Sequence, residues 1–172
     1  MDAANSRRAG VQWRHALAGL QAGVLGALVF AAWLMFASLW LRRSVWSGPN
    51  LFSIVFYGPD GYVNGFLRSS SLAGFALIIL IYGSLGLLWG VLCQDTKHAY
   101  LRLFGALTGL AVYAAFFHFI WPHTRPLLAL YAPQRQLQVA HMLWGIVLAS
   151  SPALARRLDS VSAPASDAGT RL

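Results

Sequence analysis

Two histidines, His118 and His141, carry the clearest chemical content of this sequence. Both fall within the segment from Tyr100 to Ser151, which reads as two apolar helices joined by a short polar loop. His118 lies three residues before Trp121, and His141 lies four residues after Leu137. With a rise of 1.5 Å per residue, each imidazole sits roughly 5–6 Å inside its helix end. The chain reverses between them, so both ends share one side, with His123 just past the third apolar run and Asp60 placed on the same side. Facing imidazoles on two helices are a ligand set for a b-type haem. His118, His123 and His141 together form a candidate transition-metal set. A neutral imidazole can instead hydrogen-bond to a carbonyl, to Tyr113, to Trp144 or to water, and so tie helices together, or it can handle protons. A strong metal signal would add Cys, Asp or Glu at ligand spacing. The five acids, Asp2, Asp60, Asp95, Asp159 and Asp167, all fall outside the apolar runs, and there is no Glu. The expectation is therefore no resident cofactor, with haem b or a transition metal on the histidines as the alternative.

Catalysis has no comparable support. The chain has no Gly-rich phosphate loop and no paired carboxylates. Cys93 is the single cysteine, which rules out an internal disulfide and a cysteine-based metal cluster. Lys97 and His98 follow it closely, but a cysteine nucleophile needs a positioned base in an electropositive setting, and a lone thiol at a helix end reads as inert. The expectation is a non-enzymatic protein.

The elements that must position the histidines follow from composition and hydropathy. Of 172 residues, 58% are hydrophobic and 10% charged, with a mean hydropathy of +0.57. Soluble domains carry about 25% charged residues, so most of this chain has no polar face to present to water. The net charge of +8 comes from Arg and Lys scattered in ones and twos beside apolar runs. That is the pattern of membrane topology, and it lacks the basic face that tracks phosphates in nucleic-acid binding. Four spans are predicted at about 16–41, 72–93, 99–121 and 137–153 within a single domain, 1–157. The first is too long for the apolar region of a cleaved signal peptide and ends in bulky Leu39-Trp40-Leu41, so it reads as an uncleaved helix. Gln94 to His98 forms a short polar link. Trp121-Pro122 is expected to end the third span, because proline disfavours helical geometry in the residue before it. Residues 158–172, rich in Ser, Ala and Asp, read as a disordered cytoplasmic tail.

The first loop, 42–70, contains Leu51 to Tyr57, apolar but too short to span, followed by a turn at Gly58-Pro59-Asp60-Gly61. Trp46, Phe52, Phe56, Tyr57, Tyr62 and Phe66 recur across it, and aromatic rings favour the membrane–water interface. A short interfacial or re-entrant helix is predicted near 50–57, opened by Pro49-Asn50 with Asn50 as its cap; a loop packed on the bundle is the alternative. The fold class is thus all-α: a polytopic membrane protein, a four-transmembrane-helix bundle with a short helix in its first loop. Arg7, Arg8, Arg14, Lys97, Arg102, Arg156, Arg157 and Arg171 fall on one side, and Arg42, Arg43, Arg68, Arg125 and Arg135 on the other. The excess places both termini in the cytoplasm, although Arg42-Arg43 argues the other way. Small residues recur four apart in every span: Gly19, Gly23 and Ala27; Gly86 and Gly90; Gly105 and Gly109; Gly145 and Ala149. Such faces let helices approach closely, either within one bundle or through Gly19, Gly23 and Ala27 in a homo-oligomer or a membrane complex.

The second half, about 72–157, carries a Gly-rich second span, a short basic link, Gly105-x-x-x-Gly109, a Pro-rich loop, and His141-x-x-Trp144-Gly145 followed by Arg156-Arg157. This layout resembles the YagU-type family of small bacterial inner-membrane proteins. The resemblance implies a four-helix protein of the bacterial cytoplasmic membrane, with no established biochemical activity and a link to envelope or acid stress. The leading expectation is an accessory or envelope-stress component, the lipid bilayer being its first partner and nucleic acid excluded. A haem- or metal-binding protein using His118 and His141 comes second, and a small oligomeric channel or transporter third.

Overall fold

The computed structural model describes residues 3–62, 65–93 and 100–162, with side chains described between residues 13 and 158. The Gln94–His98 link and the tail beyond residue 162 lie outside the described residues. Within them, the secondary structure is helical. Four helical stretches are long and apolar enough to cross a membrane: Trp13–Trp40, Arg68–Leu92, Leu101–Thr124 and Gln134–Leu158. They correspond one to one with the four predicted spans.

Helix α1 (Ala3–Trp40) packs against α3 (Arg68–Leu92). The order of contacts shows an antiparallel pair: Gly90 lies against His15 and Gly19, and Gly86 lies against Gly19 and Gly23. A Cβ placed on Gly23 would stand 2.7 Å from the Tyr82 carbonyl oxygen and 2.8 Å from the Gly86 Cα. No side chain larger than hydrogen fits there without moving a backbone. The same device joins α4 (Leu101–Ala114) to α7 (Gln134–Leu148), where Gly105 meets Gly145 and Gly109 meets the His141 carbonyl. Helices α1 and α7 also run antiparallel, with Gly26 receiving the Trp144 indole and Trp33 Nε1 donating to the Gln136 carbonyl at 2.9 Å. The small-residue face Gly19–Gly23–Ala27 is therefore used inside one chain. All three residues are buried there.

The helix ends depart from the sequence expectations for backbone reasons. Helix α1 closes with Arg42 in the left-handed region, at φ 55°. The Arg42 N–H donates to the Leu39 carbonyl and the Arg43 N–H to the Ser38 carbonyl, the paired bonds of a Schellman cap. Helix α2 (Ser47–Tyr57) forms in the first loop as expected but starts earlier, and Asn50 is not its cap. Pro49 sits in its first turn, where the missing N–H costs nothing. Asn50 lies within the helix, fully buried, and its side chain ties the loop together. Its Nδ2 donates to the Gly65 carbonyl at 2.8 Å, and its Oδ1 accepts from the Ser71 hydroxyl at 2.8 Å. Ser53 Oγ bridges the Asn50 and Gly61 carbonyls at 2.7 and 2.8 Å. Residues Ser47 to Ile54 are buried against α1 and α3, so α2 is packed into the end of the bundle. Gly58, at φ 61°, stops it, and the predicted turn appears as one 3-10 turn, Gly58–Gly61.

Trp121-Pro122 does not end the third long helix. The helix widens into a π-helical turn over Ala115–Ile120 and continues through α5 (Trp121–Thr124). Pro122 cannot donate to the carbonyl four residues back, that of His118, and its ring would crowd that carbonyl in a regular α-helix. The wider turn relieves both problems. A short helix, α6 (Pro126–Tyr131), then leads to α7, which begins three residues before the predicted start. The fourth stretch breaks at Ala149-Ser150 and resumes as α8 (Ser151–Ser162), which packs on α1. Residues 158–162 are thus helical rather than the start of an irregular tail.

Candidate functional site

Helix α7 carries His141 into the centre of the bundle. Its start at Gln134 puts His141 seven residues in, roughly 10 Å from the helix end, about twice the depth expected from the sequence. The side chain is fully buried. Nδ1 lies 2.7 Å from the Leu137 carbonyl oxygen, and Nε2 lies 2.7 Å from the Tyr82 hydroxyl. The tautomer follows from these partners. A carbonyl only accepts, so Nδ1 carries the proton; in a neutral imidazole Nε2 is then the acceptor, and the Tyr82 hydroxyl donates to it. Tyr82 stands near the middle of α3, so this bond links two of the four long helices deep in the structure.

Aromatic rings enclose the pair. The His141 ring has Phe30 at 5.0 Å, Tyr113 at 5.4 Å and Phe117 at 5.9 Å, all edge-on. Phe30 also lies 4.4 Å from the Tyr82 ring, and Trp144 lies 5.3 Å from it. The other three long helices thus each contribute aromatic side chains around the one imidazole of α7. Tyr113 is buried, and the Gln138 side chain is the polar group that faces its hydroxyl. The indole N–H groups of Trp89 and Trp144 are buried without a hydrogen-bond partner among the described residues.

The other sequence-derived candidates do not converge with His141 on a shared centre. His118 lies in the π-helical turn on an exposed face and meets the Tyr113 ring edge-on at 5.7 Å. Tyr113 thus touches both imidazoles, at 5.7 Å from His118 and 5.4 Å from His141. His123 is exposed, and its Nδ1 lies 2.6 Å from the Phe119 carbonyl oxygen of its own helix. Asp60 is exposed in the 3-10 turn. No group of three His, Cys, Asp or Glu that could hold a metal occurs among the described residues. For haem, the fit is poor at His141: one nitrogen is bonded to Tyr82, the other to Leu137, and the space before the ring is filled by Phe30 and Tyr113. Cys93 is a half-buried thiol at the end of α3, and Lys97 and His98 lie outside the described residues.

The sequence carries no signal that pairs Tyr82 with His141. Tyr82 is one of two clearly polar side chains in the second span besides Cys93, but no spacing rule relates it to His141, 59 residues away. The buried cluster of Asn50, Ser53 and Ser71 was equally hidden, because Asn50 reads as a cap and no local spacing relates it to Ser71, 21 residues away. No family model matches this chain, and no curated protein or solved structure matches it.

Proposed function

We propose that this chain is a non-enzymatic integral membrane protein that crosses a bacterial cytoplasmic membrane four times and serves there as an accessory component. One observation carries the reading: the polarity of the molecule is inverted. Leu80 is 65% exposed, Leu103 63% and Leu107 54%, while His141, Asn50 and Ser53 are fully buried. Only 22% to 50% of the most apolar window of each long helix is buried within the chain. Each fully exposed leucine costs about 1.5–3 kcal/mol in water relative to burial, and a hydrocarbon surround removes that cost. Between apolar helices in lipid, leucine burial contributes no driving force, so close glycine contacts and interhelical hydrogen bonds become the cohesive terms. The Gly19–Gly86, Gly105–Gly145 and Tyr82–His141 contacts supply both kinds.

In this reading His141 is a clamp. Both of its nitrogens are engaged within the chain, and its role is to hold α3 on α7. The antiparallel order of α1, α3, α4 and α7 supports both termini lying on one side, and the Lys and Arg excess there supports the cytoplasm. Helix α2 would then sit within the opposite end of the bundle, a re-entrant element covered by α1 and α3. The envelope role rests on the layout resemblance to the YagU-type family.

The test has two parts. Membranes washed in alkaline carbonate should retain the protein, and a C-terminal alkaline phosphatase fusion should be silent where a green fluorescent fusion is bright. An active phosphatase fusion would reverse the orientation. An absorption spectrum of the purified protein showing a Soret band, lost in His118→Ala and His141→Ala, would replace the accessory reading with a haem-binding one.

A further inference from the structure

Where α1 and α7 separate near the end that carries α2, they leave an open groove of about 320 Å³. Trp33, Phe36, Trp40 and Val139 give it an apolar lining, Gln136 contributes to one wall, and Arg135 stands at its edge. The Trp33 indole bond to the Gln136 carbonyl ties the two helices together within it. From Trp33 to Trp40 the groove follows about 10 Å of α1, ending at the last residue of that helix. Arg135 is exposed and is the second residue of α7, so its guanidinium lies level with the helix ends. Trp40, 79% exposed, lies at the same level.

We propose that this groove binds one anionic membrane phospholipid, with an acyl chain against Trp33, Phe36 and Val139 and the phosphate on Arg135. The inference rests on the reading that the chain spans a membrane. The groove is apolar along its depth and cationic at its mouth, which matches a phospholipid and not a soluble anion. Charge at this end is complementary to an anionic headgroup: Arg42, Arg43, Arg68, Arg125 and Arg135 stand there, and Asp60 is the one acid described at this end. Adjoining hollows extend the site. Ala37 and Gln136 also line a small space shared with Arg43 and Tyr62, and the Arg43 guanidinium donates to the Tyr62 hydroxyl at 2.9 Å. Trp40 and Arg135 are the residue types that favour headgroup depth.

The full chain is reconstituted into vesicles holding equal amounts of phosphatidylglycerol and phosphatidylcholine with identical acyl chains, floated on a density gradient, extracted in mild detergent, and examined for retained lipid by native mass spectrometry. Phosphatidylglycerol should be retained over phosphatidylcholine by about five-fold, the preference expected of one arginine at a membrane surface. Arg135→Gln should reduce that ratio to near one, Arg135→Lys should keep much of it, and Arg125→Gln, on the same face but outside the groove, should leave it unchanged. Equal retention of the two lipids by a chain that floats overturns the groove site alone. So does a preference lost in Arg125→Gln as readily as in Arg135→Gln. A chain that fails to float overturns the membrane reading, and this site with it.

Discussion

Replacing Tyr82 with Phe removes one hydroxyl and leaves the ring contacts to Phe30 and Trp144 in place. The change therefore isolates the hydrogen bond to His141. Nε2 would be left as a buried acceptor with no donor, and such an orphan costs about 1–3 kcal/mol. Buried hydrogen bonds between membrane helices show smaller couplings, averaging about 0.6 and reaching about 1.7 kcal/mol, because helices separated in lipid find other partners. Tyr82 and His141 are both fully enclosed and their bond is 2.7 Å long, which favours the upper part of that range. A loss of roughly 1–2 kcal/mol is expected for Tyr82→Phe. His141→Leu orphans the Tyr82 hydroxyl in turn and should cost at least as much. In the His141→Leu background, Tyr82→Phe removes that orphan and should be neutral or stabilising. The assay is a denaturing-detergent titration in mixed micelles, followed by circular dichroism. A Tyr82→Phe penalty of equal size in both backgrounds would show that the two side chains do not hold one another, and the clamp role of His141 would have to be abandoned.

Three further outcomes follow from particular contacts. Gly86→Ala should destabilise by about 1–3 kcal/mol in the same titration, because its methyl would enter the Gly23 and Gly19 backbones, whereas Gly83→Ala, facing only the movable ends of Val24 and Leu20, should change little. Arg42→Gly should stabilise the protein by about 1 kcal/mol, since glycine adopts the left-handed conformation of that cap without the Cβ penalty; a loss of stability would mean the Arg42 side chain outweighs the backbone. Asn50→Ala should cost about 1–3 kcal/mol by leaving the Ser71 hydroxyl proton and the half-buried Gly65 carbonyl without their partner, and amide exchange in α2 should quicken with it.

The long helices were legible because their signal is one-dimensional: runs of apolar residues bounded by Arg, Pro and polar links. The small residues announced close packing, but their spacing says nothing of the partner, and Gly19 and Gly23 meet α3 through geometry no local pattern encodes. His141 was visible as an ionisable group in an apolar run. It lies deeper than the sequence implies because α7 starts before Leu137, following Pro133, so that Gln134, Arg135 and Gln136 belong to the helix. The rule that proline ends a helix failed at Pro122 because a π-helical turn absorbs the missing donor, and that turn is what carries His118. Asn50 reads as a cap by residue type. Its three-residue distance from the true helix start makes it a buried crosslink instead.

The central proposal is that the exposed apolar belt faces lipid. The direct measurement places single cysteines in a Cys93→Ser background and treats intact membranes with a water-soluble maleimide. Leu80→Cys should resist labelling although its side chain lies on the outside of the molecule, while Asp60→Cys in the exposed 3-10 turn should label. Labelling of Leu80→Cys as fast as Asp60→Cys would put water where the account requires hydrocarbon.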